Sequence, residues 1–474
     1  MSYVRTILKT VEANAEQADL CLPHSIIRKC KIPVGDLTLR FGSSSSHVQV
    51  RGADAAAARI SSALARRLYL PQGIPLILRY DSSRETIVMG PYIGILLLDV
   101  KSTGEPFGSL TPFMDEVADI CHRRGGLVSV FTIADIDWDA NTVRGMIRRQ
   151  GSWQFHTLPL PQCIYNRVHS RHAEKSDQVD SLIQHCKDNG IPFFNERFLN
   201  KWNVYKILAD RPAAPAFLPK TVCFKSSEDL KRMLQEFRTV YAKPANGSMG
   251  KGIYRIRAGA NGYQIANSQS TRVWKDFSSL HRHLQKKCAG KLYLLQRGLS
   301  LIGFQSRPAD FRVLVQKNRS GEWAVTSLVA RIGQNRIVSN VARGGSMFPA
   351  AQALQMCGPW QNSSRPSVHT LSRTALQVAR ELEHSLDGHY AEFGIDLGVD
   401  VHGRIWLLEV NSKPSKSDQT VITSPVAPQS PRRPRPSVIR LLDYAAYLSG
   451  YKPLKRTGKS IKQLYVKSKK ENRR

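Results

Sequence analysis

Residues 390–414 read YAEFGIDLGVDVHGRIWLLEVNSKP, from Tyr390 to Pro414. The stretch alternates in two blocks. Phe393, Ile395, Leu397 and Val399 fall on one face, and Gly394, Asp396, Gly398 and Asp400 on the other. Beyond His402-Gly403, the residues Ile405, Leu407, Glu409 and Asn411 share a parity. Period-2 patterning around a short Gly-containing turn predicts a β-hairpin. A two-residue turn at His402-Gly403 pairs Val401 with Arg404 and, counting outward, Asp396 with Glu409. Directly opposed residues share a face and lie about 5 Å apart at Cβ. Two opposed carboxylates repel, and a hard cation taking oxygen ligands from Asp396, Glu409 and Asn411 removes the objection. The plainer reading is a solvated outer face carrying two acids by chance, and spacing alone does not choose between them.

Working outward, the chain is long enough for two to four domains at 474 residues, and its 42% hydrophobic content supports a core. No run of about 18 apolar residues is present, so no membrane span is expected. The start, MSYVRTILKTVE, lacks the apolar segment of a secretory signal. Eight scattered cysteines without a C-x-x-C spacing suggest free thiols in a reducing compartment, and hence a cytoplasmic protein. The formal charge of +32 implies attraction to polyanions without saying which. Part of it is local, because residues 452–474 hold ten Lys/Arg and one Glu.

Residues 1–90 read as a small, mostly β domain. Candidate strands are 25–27, 37–41, 48–50, 76–80 and 86–89, with a helix over 55–68. From Gly90-Pro91 an apolar strand at 93–100, a helix at 110–124 and a strand at 127–132 suggest an open α/β layer over 91–199. Helices are expected at 178–189, 201–209, 227–237, 365–386 and 436–448. Strands at 293–296, 311–316, 323–331 and 337–341 are assigned to one large antiparallel sheet. The tail beyond 452 is expected to be disordered.

The loop from Lys243 to Gly252, KPANGSMGKG, lies between two predicted strands. Its glycines let backbone N–H groups approach an anion, and Lys243 would place an ammonium on a phosphate. It is not a Walker A loop, which leads into a helix after G-K-[ST]; the bland alternative is an ordinary hairpin loop. Lys201 alone reads as a solvated helix charge. Asp310-Phe311-Arg312 sets an acid and an Arg on one side of a strand, and Asn340 and Arg343 come before a flexible Gly344-Gly345 pair. An arginine in so basic a chain is more often solvated than functional.

Taken in order, Lys201, Lys243 with its glycine loop, Gln296-Arg297-Gly298, Asp310-Phe311-Arg312, Asn340 with Arg343-Gly344-Gly345, and Asp396…Glu409-x-Asn411 resemble the ATP-grasp fold. The metal spacing is similar to that of D-alanine–D-alanine ligases. The D-F-R-V and S-N-V-A-R-G-G segments resemble the glutathione synthetase and ribosomal-protein-S6 glutamate ligase branch. The segments LPHSIIRKCKIPVGDLTLRFG and FFNERFLNKW resemble the YheC/YheD family of endospore coat-associated ATP-grasp proteins. The resemblance implies an α/β fold, α+β in parts, with an open α/β pre-ATP-grasp layer (91–199), a small lid subdomain (200–275) and a large antiparallel core with the metal site (276–451). A mostly β N-terminal domain (1–90) would precede them and a basic tail (452–474) would follow.

It further implies that Lys201 and Lys243 contact nucleotide phosphates, and that Gly247, Ser248, Met249 and Gly250 lie in the loop folding over them. Gln296, Arg297 and Leu299 would border adenine and the hinge. Asp396, Glu409 and Asn411 would hold Mg²⁺ or Mn²⁺. Arg312, Asn340 and Arg343 would sit by the γ-phosphate and the acceptor as catalytic residues. One departure is that residues 298–305 contain no acid to hold the ribose. The implied activity is ATP-dependent ligation of an unidentified carboxylate to an amine or thiol, in the cytoplasm or at the spore coat. The alternatives are an inactive ATP-binding coat protein and a polyanion- or nucleic-acid-binding protein acting through the tail. Removing 453–474 is expected to weaken DNA binding while leaving the melting temperature and ATP affinity nearly unchanged; a large fall in melting temperature would show that the tail is docked.

Overall fold

The computed structural model describes residues 2–12, 19–101, 104–212, 216–247, 250–333, 346–361, 364–416 and 433–451. Four sheets organise them. The first has eight strands within residues 3–90, in the spatial order Tyr3–Thr6, Leu76–Asp81, Thr86–Gly90, Gly35–Phe41, Ser44–Ala53, Leu20–Pro23, Arg59–Ser61, Lys9–Val11. Two sequence expectations fail here. Residues 25–27 lie in the helix His24–Cys30, and the helix expected over 55–68 is only Ser62–Arg67, following the strand Arg59–Ser61. Ser61 caps that short helix by accepting from Leu64 N at 3.2 Å. Sheet pairing claims the preceding turn against local helix propensity.

The second sheet sets Leu127–Phe131, Tyr92–Leu96, Cys163–Asn166 and Phe193–Phe194 in parallel. The hairpin Thr142–Arg149/Ser152–Pro159, absent from the sequence reading, extends one edge. The buried helix face of Thr111–Arg124 packs on the parallel strands together with Val438, Leu441, Leu442 and Ala445 of the last helix, Pro436–Leu448. Gly125, left-handed at φ 85°, ends the first of these helices.

The third sheet runs Thr221–Cys223, Tyr293–Arg297, Thr239–Pro244, Tyr254–Gly259, Gly262–Ala266, Thr271–Trp274. Tyr293–Arg297 therefore does not join the large core sheet, as its sequence suggested. It inserts between Thr221–Cys223 and Thr239–Pro244, so this sheet continues past the boundary expected at 275. The amphipathic helices Ser227–Glu236 and Phe277–Cys288 bury Leu230, Met233, Leu280 and Leu284 against it. Ser226 and Asp229 form a capping box at the start of the first.

The fourth sheet is antiparallel, in the order Ser346–Pro349, Trp323–Ile332, Arg307–Lys317, Glu392–Val399, Ile405–Asn411. Phe311, Val313, Ala330, Phe393, Ile395 and Leu397 bury one face under the helix Val368–Glu383. That helix starts three residues later than the sequence suggested, at a Ser367 cap. The strand expected at 337–341 lies outside the described residues.

The Asp396–Glu409 pairing holds, but by a different route. Val399 pairs with Ile405, so the connection spans five residues, Asp400 to Arg404. Asp400 closes it: Oδ1 accepts from His402 N and Arg404 N at 3.0 and 2.9 Å, and Oδ2 from Trp406 Nε1 at 2.8 Å. Gly403, at φ 84°, takes a left-handed turn position where a Cβ would lie 2.1 Å from Ser364 O. Leu397 then pairs with Leu407, and a bulge at Leu408 brings Asp396 opposite Glu409. The bulge explains a polarity switch within a single parity. Leu407 faces the core, whereas Glu409 and Asn411 continue on the polar face.

Candidate functional site

The polar face of the fourth sheet meets the third sheet and the helix Lys201–Ala209 across a cleft. Tyr205, Leu218, Leu294 and Leu408 supply apolar walls, and Lys201, Lys243, Thr221, Gln296 and Glu409 the polar groups. Four sequence-predicted residues, Lys201, Lys243, Gln296 and Glu409, are thus brought together from four separate segments.

Lys201 is the first helical residue after the Asn200 cap, whose Oδ1 accepts from Trp202 N and Asn203 N at 2.8 and 3.3 Å. A cation at a helix N-terminus is disfavoured by the helix dipole. Here Glu409 Oε1 lies 3.1 Å from Lys201 Nζ, which also donates to the carbonyl of Gly247. Lys201 is therefore not the solvated helix charge that it resembles in isolation. Lys243 Nζ donates to Gln296 Oε1 at 2.5 Å, and Gln296 Nε2 donates to Thr221 Oγ1 at 3.0 Å. Burial pushes the Lys243 ammonium down to about 8; Glu409 opposes the fall and Lys201 adds to it.

Beside the cleft lies a charge network that the sequence reading only half saw. Asp310 opposes Arg331 and Arg312 opposes Asp396 on neighbouring strands. Arg331 donates to both Asp310 oxygens at 2.6 and 2.8 Å and lies 2.9 Å from Asp396 Oδ2. Arg312 makes a fork on Asp396, with Nη2 donating to Oδ2 at 2.9 Å. Burial alone would raise the Asp396 carboxyl, but Arg312 and Arg331 outweigh it and hold it below the usual carboxylate range. Burial likewise opposes the charge on Arg331, and Asp310 with Asp396 more than offsets it. Arg331 was missed; the available signal was an Arg flanked by Ala330 and Ile332 in a strand whose neighbour carries Asp310.

This network changes the physical case for a metal. The sequence argument held that opposed Asp396 and Glu409 need a bound cation, but guanidinium groups and Lys201 already supply positive charge. Among the described residues no group of three or more His, Cys, Asp or Glu side chains is placed to hold a metal ion by itself. What fits a hard cation is the donor chemistry. Glu409 is half-buried at the cleft, Asn411 follows it on the same strand, and Asp396 stays ionised beside them. Such a partial set suits an ion that keeps waters and phosphate oxygens among its ligands.

The other candidates are dispersed. The Arg297 guanidinium lies 5.1 Å from the Phe237 ring and 5.4 Å from the Trp406 ring, where the third sheet passes into the fourth. Leu299 follows in that connection, which is tied down by Gly298 N to Thr239 O at 2.8 Å and Val401 N to Ser300 O at 2.9 Å. Arg297, Leu299, Arg312, Asp396 and Asn411 do not line the cleft itself. Gly250, at φ 67°, and Gly247 flank the loop tip. Ser248, Met249, Asn340 and Arg343 lie outside the described residues.

A second buried hub, missed from sequence, lies under the strand Glu392–Val399. Glu392 accepts from Tyr165 OH at 2.6 Å, Asn195 Nδ2 at 3.1 Å and Gln316 Nε2 at 3.2 Å, pairs with Lys416, and has Arg167 Nη1 at 3.7 Å. Lys413, two residues past Asn411, pairs with buried Glu174 and donates to Val168 O at 3.1 Å. The segment leaving the site is thereby anchored to the α/β layer.

A family described as YheC/D-like ATP-grasp matches residues 190–448. The endospore coat-associated protein YheD of Bacillus subtilis (strain 168) is 32% identical over 345 residues, covering 70% of this chain and 74% of YheD. YheC of the same organism is 25% identical over 297 residues, covering 60% of this chain and 80% of YheC. Among solved structures, D-alanyl-alanine synthetase A from Vibrio cholerae aligns at 11% identity and a TM-score of 0.42, covering 76% of this chain and 98% of its own. The family match across more than half of the sequence, with YheD as a relative of this depth, shows that the chain belongs to the YheC/D-like ATP-grasp family.

Proposed function

We propose that this protein is an ATP- and Mg²⁺-dependent ligase that activates a carboxylate and joins it to an amine or thiol. The observation that carries the reading is the convergence of Lys201, Lys243, Gln296 and Glu409 on one apolar-walled cleft between two sheets. Apolar walls suit a base, and the two lysines suit phosphates. Lys201 and Lys243 bind and orient the triphosphate, and the loop bearing Gly247 and Gly250 lies over it. Glu409 and Asn411, with Asp396, would hold Mg²⁺, which supplies charge neutralisation at the transferring phosphoryl group. A substrate carboxylate oxygen bonds to the γ-phosphorus as ADP leaves. An amine or thiol then displaces phosphate from the acylphosphate and loses a proton. Arg312, Asn340 and Arg343 are the proposed residues of the γ-phosphate and acceptor side. An association with the spore coat is proposed from the names of the two relatives.

Phosphate release that depends on ATP, Mg²⁺ and an added carboxylate, screened across amino acids and small peptides, tests the reading. Binding of nucleotide without turnover for any carboxylate would favour an inactive coat protein.

Two further outcomes follow from the lysines. Because bound triphosphate favours the ammonium form and Lys243 is held down to about 8 without it, binding should take up a proton near that pH. Affinity should be highest below about pH 8 and fall as the pH rises through it; calorimetry in buffers of different ionisation enthalpy measures the uptake. Replacing Lys243 or Lys201 by Ala should weaken ATP more than adenosine. Equal losses would mean damage to the fold in place of a lost phosphate contact.

A further inference from the structure

The central strands of the N-terminal sheet present an unusual covered face. Register sets Thr38 beside Thr86, Arg40 beside Val88, Arg79 opposite Val88 and Asp81 opposite Thr86. These residues share one face, while Leu39, Phe41, Leu78, Ile87 and Met89 share the other and are buried in the core. The first face does not lie open. Pro161-Gln162, residues 190–192 and Leu448-Ser449 close over it and leave a polar cavity of about 330 Å³, partly open to solvent. That volume is in the range of small-molecule sites.

The charge in this cavity is unbalanced. Arg40, Arg79 and Arg84 line it against Asp81. Asp81 is already engaged: its Oδ1 accepts from Ser83 N and Oγ at 3.2 and 2.7 Å, and Arg79 Nη1 stands 3.7 Å from its Oδ2. The Arg79 guanidinium lies over the Tyr451 ring, 5.4 Å from its centroid, and its Nε is buried without a hydrogen-bond partner. An unpartnered buried donor on a charged group is unfavourable, and a guanidinium fork is suited to an oxyanion. Two of the uncharged lining groups are already occupied. Gln162 accepts from Tyr92 N at 2.9 Å and donates to Met89 O at 3.0 Å; Thr86 donates to Arg84 O at 2.8 Å. Arg40 Nε donates to Gly42 O at 3.2 Å, so the guanidinium ends of Arg40, Arg79 and Arg84 are the cationic groups that face a ligand.

We propose that this cavity binds a small phosphate- or carboxylate-bearing molecule, gripped by Arg40 and Arg79 with Arg84 at the rim. The site shares no lining residue with the nucleotide cleft, and the inference does not rest on the ligase reading. Since the N-terminal sheet, the α/β layer and the end of the last helix all contribute walls, a bound anion would tie the N-terminal domain to the rest of the chain.

The test is calorimetric titration of the full chain, at fixed ionic strength, with inorganic phosphate, a hexose phosphate, a hexuronic acid and a neutral hexose. At least one anion should bind while the neutral hexose does not; the phosphate and uronate arms tell the two anion types apart. Arg79→Gln and Arg40→Gln should each weaken that binding at least about tenfold, the loss expected for a charged hydrogen bond. Arg84→Gln, at an exposed position outside the core, is a second variant that leaves the fold intact and should weaken it by a smaller factor. Circular dichroism and melting check that each variant is folded. The proposal fails if none of the anions binds, or if folded Arg40 and Arg79 variants bind as the wild type does, since a chain of charge +32 would then be holding anions non-specifically.

Discussion

Glu409→Gln is expected to remove most of the stabilisation that Mg²⁺ with ATP confers, while leaving the unliganded protein nearly as stable as before. Without ligand the substitution loses only the half-exposed pair with Lys201 at 3.1 Å, worth about 0–1 kcal/mol. Relief of repulsion from Asp396 is not the governing effect, because Arg312 and Arg331 already compensate that carboxylate. With ligand at a hundredfold excess over its dissociation constant, the wild type gains about 2.7 kcal/mol and the variant should gain much less. Any ATP turnover should fall by about a hundredfold or more, as when other groups aimed at developing charge are removed. Melting temperature and phosphate release, each with and without Mg²⁺, measure all of this. A variant matching the wild type in every condition would make the hairpin a scaffold and remove the metal proposal.

The largest loss of stability is expected from Glu392→Ala. Its carboxylate is buried and receives hydrogen bonds from Tyr165, Asn195 and Gln316 as well as the charge of Lys416. Removing it leaves Lys416 and Arg167 as buried cations short of a counter-charge, for which the cost is about 3–5 kcal/mol. The defect should ease in acid. Burial would raise the Glu392 carboxyl, but Lys416 and Arg167 outweigh it and hold it below its ordinary value. Its contribution is therefore fully present above the ordinary glutamate range, about 4.3, and is lost as pH falls through the lower folded value. Urea unfolding at pH 7 and at about pH 4 should show the difference between wild type and variant narrowing. A cost under about 1 kcal/mol at neutral pH would mean that water reaches the two cations and solvates them.

The strongly periodic parts of this fold were legible from sequence alone. The alternation through 393–399 and the helices Lys201–Ala209 and Pro436–Leu448 are written in neighbouring residues, because side-chain direction along a strand or helix repeats over two or about four positions. The ATP-grasp family was legible too, since it is carried by the order of short motifs. Only the tertiary structure decided which charges meet. Lys201 and Glu409 are 208 positions apart, and Arg331 reaches Asp396 across an intervening strand. Nothing in the periodicity of one strand says which strand lies beside it, which is also why Tyr293–Arg297 was assigned to the wrong sheet. The bulge at Leu408 was hidden for a related reason: it is defined by the partner strand, where two residues face one. The arginine-lined cavity is the extreme case. Arg40 and Arg79 look like two more charges in a basic chain, and only the closing of three separate segments over one sheet face turns them into walls of the same space.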